Sequence, residues 1–173
     1  MLNHNILKHL KFIALFLFTT ICFSCKVQYG FTQPTSIDAK TFQVNHFQNN
    51  APLVEPGLDR DFRTALQDLI VNQTNLDLVT SGADLTYEGE ITEYRISPTT
   101  ATSENTAAQN RLTISVQVRF FDKNNPENDI DQRFSFFYDF DGSTQLDTVK
   151  ATAFEEIFER LTQDIINATL AKW

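Results

Sequence analysis

Two cysteines, Cys22 and Cys25, are the residues of this sequence whose type and spacing most directly suggest chemistry. A C-x-x-C pair suits a redox-active disulfide or half of a zinc site, but a zinc site needs further ligands and the chain has no third cysteine. Cys22 also lies inside an apolar run, Phe12 to Phe23, that follows a segment with two lysines and no acidic residue. A run of about twelve residues matches the central segment of a secretory signal and is too short to span a bilayer, which takes about 20. The pair therefore indicates a targeting signal.

The residues around Cys25 point to lipid attachment. Ser24 immediately precedes this cysteine, and the stretch I-C-F-S-C resembles a bacterial lipobox, in which cleavage before the cysteine leaves it as an acylated N-terminus. Cys22 and Phe23 stand where a lipobox usually has leucine and a small residue, so a plain signal peptide and an uncleaved anchor remain as alternatives. We predict that Cys25 is the lipidation site and that Cys22 is removed with the leader.

Length and charge constrain the rest of the chain. We predict a signal peptide over residues 1–24, a lipid-anchored tether over 25–36 and a single domain over 37–173. The roughly 149 residues after the leader are enough for one hydrophobic core and too few for two. Removing the leader takes the formal net charge from −8 to about −10, which argues against nucleic acid as a partner.

The remaining titratable residues form no catalytic or metal-binding pattern. His46 is the only histidine after the leader, and a lone strand histidine is more often structural than catalytic. Glu88, Glu90 and Glu93 cluster in the sequence, and paired carboxylates could serve glycoside hydrolysis, but a solvated sheet face is the simpler interpretation. No nucleophile-elbow, phosphate-loop or zinc-protease motif occurs. We therefore predict no catalytic residue, no metal site and no cofactor.

Hydrophobic periodicity predicts four strands and two helices in the order β-α-β-β-β-α. Phe42, Val44 and His46 alternate with polar neighbours in the first strand. In the second strand, Tyr94 and Ile96 fall on the opposite parity from the apolar residues before them, which predicts a bulge near Gly89 or Thr92. The predicted elements are a strand within 37–47, a helix that opens at 56–57 and ends near 73–75, strands over 84–97, 111–122 and 130–140, and a helix over about 144–171. Residues 99–109 are small and polar and are predicted to form a mobile loop.

These elements predict an α+β fold. A right-handed crossover through the first helix makes the first two strands parallel, and an antiparallel meander follows. Each helix has one apolar stripe and each strand one apolar face, so we expect two helices packed on one face of a four-stranded mixed sheet. The other sheet face should be largely polar.

Three stretches of the chain resemble the LptE family of lipopolysaccharide-assembly lipoproteins, in its non-enteric form. They are CKVQYGFT at Cys25–Thr32, TFQVNHFQNNAP at Thr41–Pro52 and NRLTISVQVRFFD at Asn110–Asp122, and the last helix, which ends in LAKW, also fits. The resemblance implies a non-catalytic protein, anchored in the outer membrane on its periplasmic side, that plugs an LptD-type β-barrel and assists its assembly. Lys26 rather than aspartate follows the cysteine, so the inner-membrane retention signal of enteric lipoproteins is missing.

The resemblance also implies lipopolysaccharide as a candidate ligand beside the barrel. The basic residues that contact it in enteric members cannot be matched here, and Arg95, Arg111 and Arg119 are the local candidates, with a solvated surface as the simpler interpretation. We expect the polar sheet face, with Thr113, Ser115, Gln117 and Arg119, to lie against the barrel wall. Two other classes remain open: a lipid-anchored accessory or activator of a cell-wall synthase or secretion channel, and an envelope hydrolase that uses Glu88 or Glu90.

Overall fold

A computed structural model describes residues 38–101 and 107–171, and the side chains of all of these except residues 100, 101, 107 and 108. The predicted leader and the whole predicted tether, including Cys25, lie outside the described residues. The strands are β1 (Thr41–Asn49), β2 (Asp77–Leu78), β3 (Leu85–Ala101), β4 (Ala107–Asp122) and β5 (Ile130–Asp141). The helices are α1 (Leu58–Gln73) and α2 (Leu146–Thr169), and Pro126–Asn128 form a single 3₁₀ turn. No helix in the described part of the chain is long and apolar enough to cross a membrane.

The sheet has the strand order β2-β1-β3-β4-β5. β1 runs parallel to β3, and β3, β4 and β5 form an antiparallel meander, as the sequence predicted. β1 also runs parallel to β2, which the sequence did not predict. The predicted number of four strands is wrong, because β2 is a fifth. Two residues are too few to show a period, and β2 is held by long-range bonds: the N–H groups of Asp77 and Val79 donate to the carbonyls of Lys40 and Phe42, each at 2.9 Å.

Both helices pack on the same face of this sheet and bury one core. α1 lies on β1 and β2, and α2 lies on β4 and β5 and contacts α1. Phe62 of α1 links the layers, with its ring 5.1 Å from that of Phe47 on β1 and 5.8 Å from that of Phe158 on α2. Tyr87 is fully buried on β3, and its hydroxyl lies 3.0 Å from Thr169 Oγ1 at the end of α2. Burial raises the pKa of this phenol, so Tyr87 stays neutral and ties the sheet to the last helical turn.

Two bulges set which side chains reach the core. The predicted bulge in β3 is at Thr92, where the register with β4 shifts and Tyr94 takes a core position. A second bulge, which the sequence did not predict, lies between Val44 and Phe47 on β1. It adds one residue, so Phe47 is buried and the side chain of His46, expected on the apolar face, is 66% exposed.

β3 and β4 extend well beyond β1 and replace part of the predicted loop, whereas β5 accompanies β4 from Gln109 to Phe120. β3 continues to Ala101 and β4 begins at Ala107, so only residues 102–106 of the 99–109 segment, including Thr102, lie outside the described residues. Strands of 17 and 16 residues measure about 50 Å at about 3.3 Å per residue, and we call this strand pair the β3–β4 arm. The described chain begins beside the end of the arm that is opposite Ala101 and Ala107, where Asn124 donates a hydrogen bond to the carbonyl of Asp38.

Candidate functional site

The sheet face that turns away from the helices carries the predicted contact residues, and we call it the outer sheet face. It is formed by alternate residues of β1, β3, β4 and β5 that lie opposite each other in register. Its rows join Glu88 to Arg119 and Asp131, Glu90 to Gln117 and Arg133, Glu93 to Ser115 and Ser135, Arg95 to Thr113 and Phe137, and Ser97 to Arg111 and Asp139.

Glu93 is the centre of the largest polar cluster on this face. Its carboxylate accepts hydrogen bonds from Arg95 Nε and Arg133 Nη2, each at 2.7 Å, and from Ser115 Oγ at 2.9 Å. The hydrogen bond from Arg95, with a smaller contribution from Ser115, lowers the pKa of Glu93 below its ordinary value. The carboxylate is therefore ionised near neutral pH and holds two guanidinium groups from two different strands.

Ser115 is the predicted contact residue that the structure places differently. It was expected on an exposed face, but its side chain is fully buried and its hydroxyl lies 2.9 Å from Ser135 Oγ as well as from Glu93. Glu93 and Ser135 cover it, because the strand register places them on either side of Ser115. A partner can reach Ser115 only if these side chains move.

Arg111 and Arg119 are also paired with acids across the strands. Arg111 binds Asp139 through Nε (2.7 Å) and Nη2 (2.8 Å), and its guanidinium carbon lies 3.5 Å from the ring centroid of Phe137. Arg111 lowers the pKa of Asp139 below its ordinary value through this bidentate hydrogen bond. Arg119 Nε donates to Glu88 Oε1 at 3.1 Å. All three predicted arginines therefore have carboxylate partners.

Gln117 and Thr113 complete the predicted set. Gln117 Nε2 donates to Asp131 Oδ1 at 2.5 Å, and Thr113 is half-buried in the row between Arg95 and Phe137. The sequence did not single out Arg133 or Asp131, and it indicated only a local hydrogen-bonding role for Asp139, because these roles come from cross-strand pairing. Only the register of β4 with β5 could have shown them.

The residues considered for catalysis have ordinary structural partners. Glu88 is bound by Arg119 and by Asn45 Nδ2 at 3.3 Å, and Glu90 accepts a hydrogen bond from Asn50. His46 Nδ1 lies 3.6 Å from Asp59 Oδ2 on an exposed surface. Within residues 38–101 and 107–171, no group of three or more histidines, cysteines or acids could hold a metal ion. The arrangement is that of a polar sheet surface whose arginines are paired with carboxylates.

A family model described as LptE, lipopolysaccharide-assembly, matches residues 39–169 of the chain. This span covers nearly all of the described residues, from the start of β1 to the end of α2. No sequence among curated proteins matches the chain.

Solved structures resemble the chain at low sequence identity. The hypothetical protein CT253 of Chlamydia trachomatis has a TM-score of 0.55 and 11% identity, with 78% of this chain and 99% of that chain covered. A minor lipoprotein of Acinetobacter baumannii has a TM-score of 0.50 and 14% identity, with coverages of 77% and 94%. Rare lipoprotein B of Shewanella oneidensis has a TM-score of 0.44 and 16% identity, with coverages of 73% and 89%. At these identities the first two matches concern the fold alone.

Proposed function

The chain belongs to the LptE lipopolysaccharide-assembly family, and from this premise we propose that it is a non-catalytic, lipid-anchored subunit of an LptD-type β-barrel in the outer membrane. In this role it occupies the barrel lumen from the periplasmic side and supports barrel assembly and delivery of lipopolysaccharide to the cell surface. The observation that carries the proposal is the family match over residues 39–169.

The outer sheet face supports a plug role. The lumens of outer-membrane barrels are polar, so a surface that enters one should be polar without a large unpaired charge. The charged side chains in the rows of this face are four arginines and five acids, and each arginine is paired with an acid. The face is therefore almost neutral, although the whole chain carries a formal charge of −8.

The long β3–β4 arm supports the same role by its dimensions. At about 50 Å it is roughly twice the height of the apolar band of an outer-membrane barrel, which is about 25 Å. Its tip lies at the opposite end from the entry of the described chain near Asp38. A protein tethered to the membrane through its N-terminus could therefore extend this arm along the axis of a lumen.

The arginine pairs argue against strong direct binding of lipid A phosphates by Arg95, Arg111 and Arg119. A carboxylate already takes hydrogen bonds from each of them, and a phosphate would have to displace it. Occupancy of the barrel is thus the primary role in this proposal, and lipopolysaccharide contact is secondary.

We predict that Cys25 is acylated after cleavage behind Ser24 and that this anchor keeps the protein at the membrane. Each buried acyl CH₂ contributes about 0.8 kcal/mol, so two or three chains give stable attachment. Cys25→Ala should leave the protein as uncleaved precursor or release it from membranes, whereas Cys22→Ala should have no effect. Mass spectrometry of the mature N-terminus checks the modification, and an unmodified Cys25 in mature protein would exclude it.

Affinity purification of the tagged protein from detergent-solubilised outer membrane tests the partner. We expect one large outer-membrane barrel in stoichiometric amount. A penicillin-binding protein or a secretin in its place would support the activator or secretion-accessory role instead. The Cys25→Ala variant, tagged in the same way, is the matched control for capture that depends on membrane attachment.

A further inference from the structure

The edge of β3 is unpaired over the stretch where β1 no longer accompanies it, and we call residues Thr92–Ser97 of this strand the open β3 edge. The register of β1 with β3 ends at Asn49 and Ile91, and Asn50 N–H donates the last bond, at 2.9 Å, to the Ile91 carbonyl. β3 continues for ten residues, paired with β4 on its other side. Among the described residues no strand lies beside this edge.

The direction of the backbone groups follows from the strand alternation. The Ile91 carbonyl points to the β1 side, and the bulge at Thr92 inserts one residue before Glu93 pairs with Ser115. Continued alternation places the N–H and C=O groups of Tyr94 and Ile96 on the open edge. Pro98, which has no N–H to donate, falls on the same edge and ends the stretch that can accept a strand.

Two different walls flank the open β3 edge. An open depression here is lined by Pro52, Leu53, Tyr94 and Ile96 on the core side and by Glu93, Arg95 and Arg133 on the outer side. Leu53 and Ile96 are 51% and 40% exposed, so these apolar side chains are accessible to a partner. The shape is that of a vacant strand position with one apolar and one charged side.

The charged side of the depression, formed by Glu93, Arg95 and Arg133, is positive. Glu93 is bound by both Arg95 and Arg133, so the cluster carries one excess positive charge on a chain whose formal charge is −8. An acidic side chain is the complement to this cluster. The other long edge of the sheet differs, because charged residues recur along β5 (Asp131, Arg133, Asp139 and Asp141), a pattern that opposes strand addition.

We propose that an extended segment of the barrel partner adds as a strand to the open β3 edge. In this segment apolar side chains, which pack on Leu53 and Ile96, alternate with polar side chains that include an acid facing Arg95 and Arg133. The main chain of the segment pairs with Tyr94 and Ile96, as in other cases of strand addition. This inference rests on the proposed function, because the barrel supplies the strand.

In-cell photo-crosslinking of the full, lipidated chain tests this inference. A photo-reactive residue replaces Leu53, and the crosslinked peptide is identified by mass spectrometry. Ile96→Pro removes an edge donor and leaves the β4 ladder intact, whereas Ile96→Thr keeps the N–H group and the β-branched shape. We expect Leu53 to crosslink to one extended barrel segment, with a yield that falls about tenfold in Ile96→Pro and little in Ile96→Thr.

A second variant keeps the test decisive if Ile96→Pro fails to fold, which circular dichroism would show. Arg95→Glu reverses the excess charge of the cluster and should lower the Leu53 crosslink several-fold. Arg60→Glu changes the net charge equally at an exposed position on α1 and should leave the crosslink unchanged.

The outcomes separate this inference from the proposed function. A barrel crosslink from Gln117 on the outer sheet face without one from Leu53 overturns strand addition and leaves the barrel partnership standing. So does a Leu53 crosslink to a second copy of this chain, or one that a folded Ile96→Pro variant does not weaken. If neither position reaches a barrel, the proposed function fails as well.

Discussion

Gly89→Ala is expected to destabilise the fold by about 3 kcal/mol or more, at the upper end of the cost of overpacking an interior. A Cβ atom at Gly89 would lie 1.9 Å from the carbonyl oxygen of Gln117 and 3.0 Å from Cε1 of Phe47. The Gln117 oxygen belongs to the backbone of β4, so it cannot move away without distorting the β3–β4 ladder. Phe47 lies opposite Gly89 in the register, and its ring occupies the space that a side chain would need.

Gly82→Ala is the matched control, because alanine at this position strains the backbone conformation without a steric clash. Gly82 has φ +73°, and among the described residues no atom lies within 4 Å of the position that a methyl group would take there. Alanine at this position should therefore cost only about 1 kcal/mol of backbone strain. Urea unfolding of both purified variants, followed by circular dichroism, measures the difference. Equal losses of unfolding free energy would contradict the account of the Gly89 contact.

The elements with a strong local pattern could be predicted from the sequence. Each helix shows one apolar stripe. The change of parity at Tyr94 predicted a bulge near Gly89 or Thr92, and the bulge lies at Thr92. The parallel pairing of β1 with β3 follows from the crossover connection through α1. These features depend on neighbours in sequence or on a general rule of chain topology.

The features that depend on distant residues could not be predicted. β2 exists because its backbone meets that of β1, and two residues carry no period. At the β1 bulge, His46 continues the alternation of Phe42 and Val44, whereas Phe47 breaks it, and packing decides that Phe47 is buried. Ser115 is a typical surface residue by type, yet Glu93 and Ser135 on the two flanking strands cover it. The arginine–carboxylate pairs likewise follow from the register.

Among the described residues, the acids and the histidine considered for catalysis belong to the surface of the sheet. The described residues give Glu88 and Glu90 hydrogen-bond partners on the sheet surface and place His46 on an exposed bulge. The described residues combine a nearly neutral polar sheet face, long strands β3 and β4, and a β3 edge that is unpaired beyond Ile91. In the proposed function these features are the contacts with the barrel.

Depletion of the protein in its own cells is expected to give the largest functional effect. If the chain is needed to assemble the barrel that exports lipopolysaccharide, each new generation of cells has fewer working barrels. Lipopolysaccharide at the cell surface should then fall as the protein is diluted by growth, and expression of the wild-type chain should restore it. Cell-wall crosslinking should at first stay unchanged, because no cell-wall enzyme depends on the chain in this account.

Surface lipopolysaccharide after depletion, measured on intact cells beside peptidoglycan crosslinking from the same culture, tests the central claim most directly. The proposal predicts that surface lipopolysaccharide declines first, while crosslinking remains at the level of undepleted cells. Undiminished surface lipopolysaccharide in fully depleted cells, or a loss of crosslinking that precedes any change in lipopolysaccharide, would contradict it.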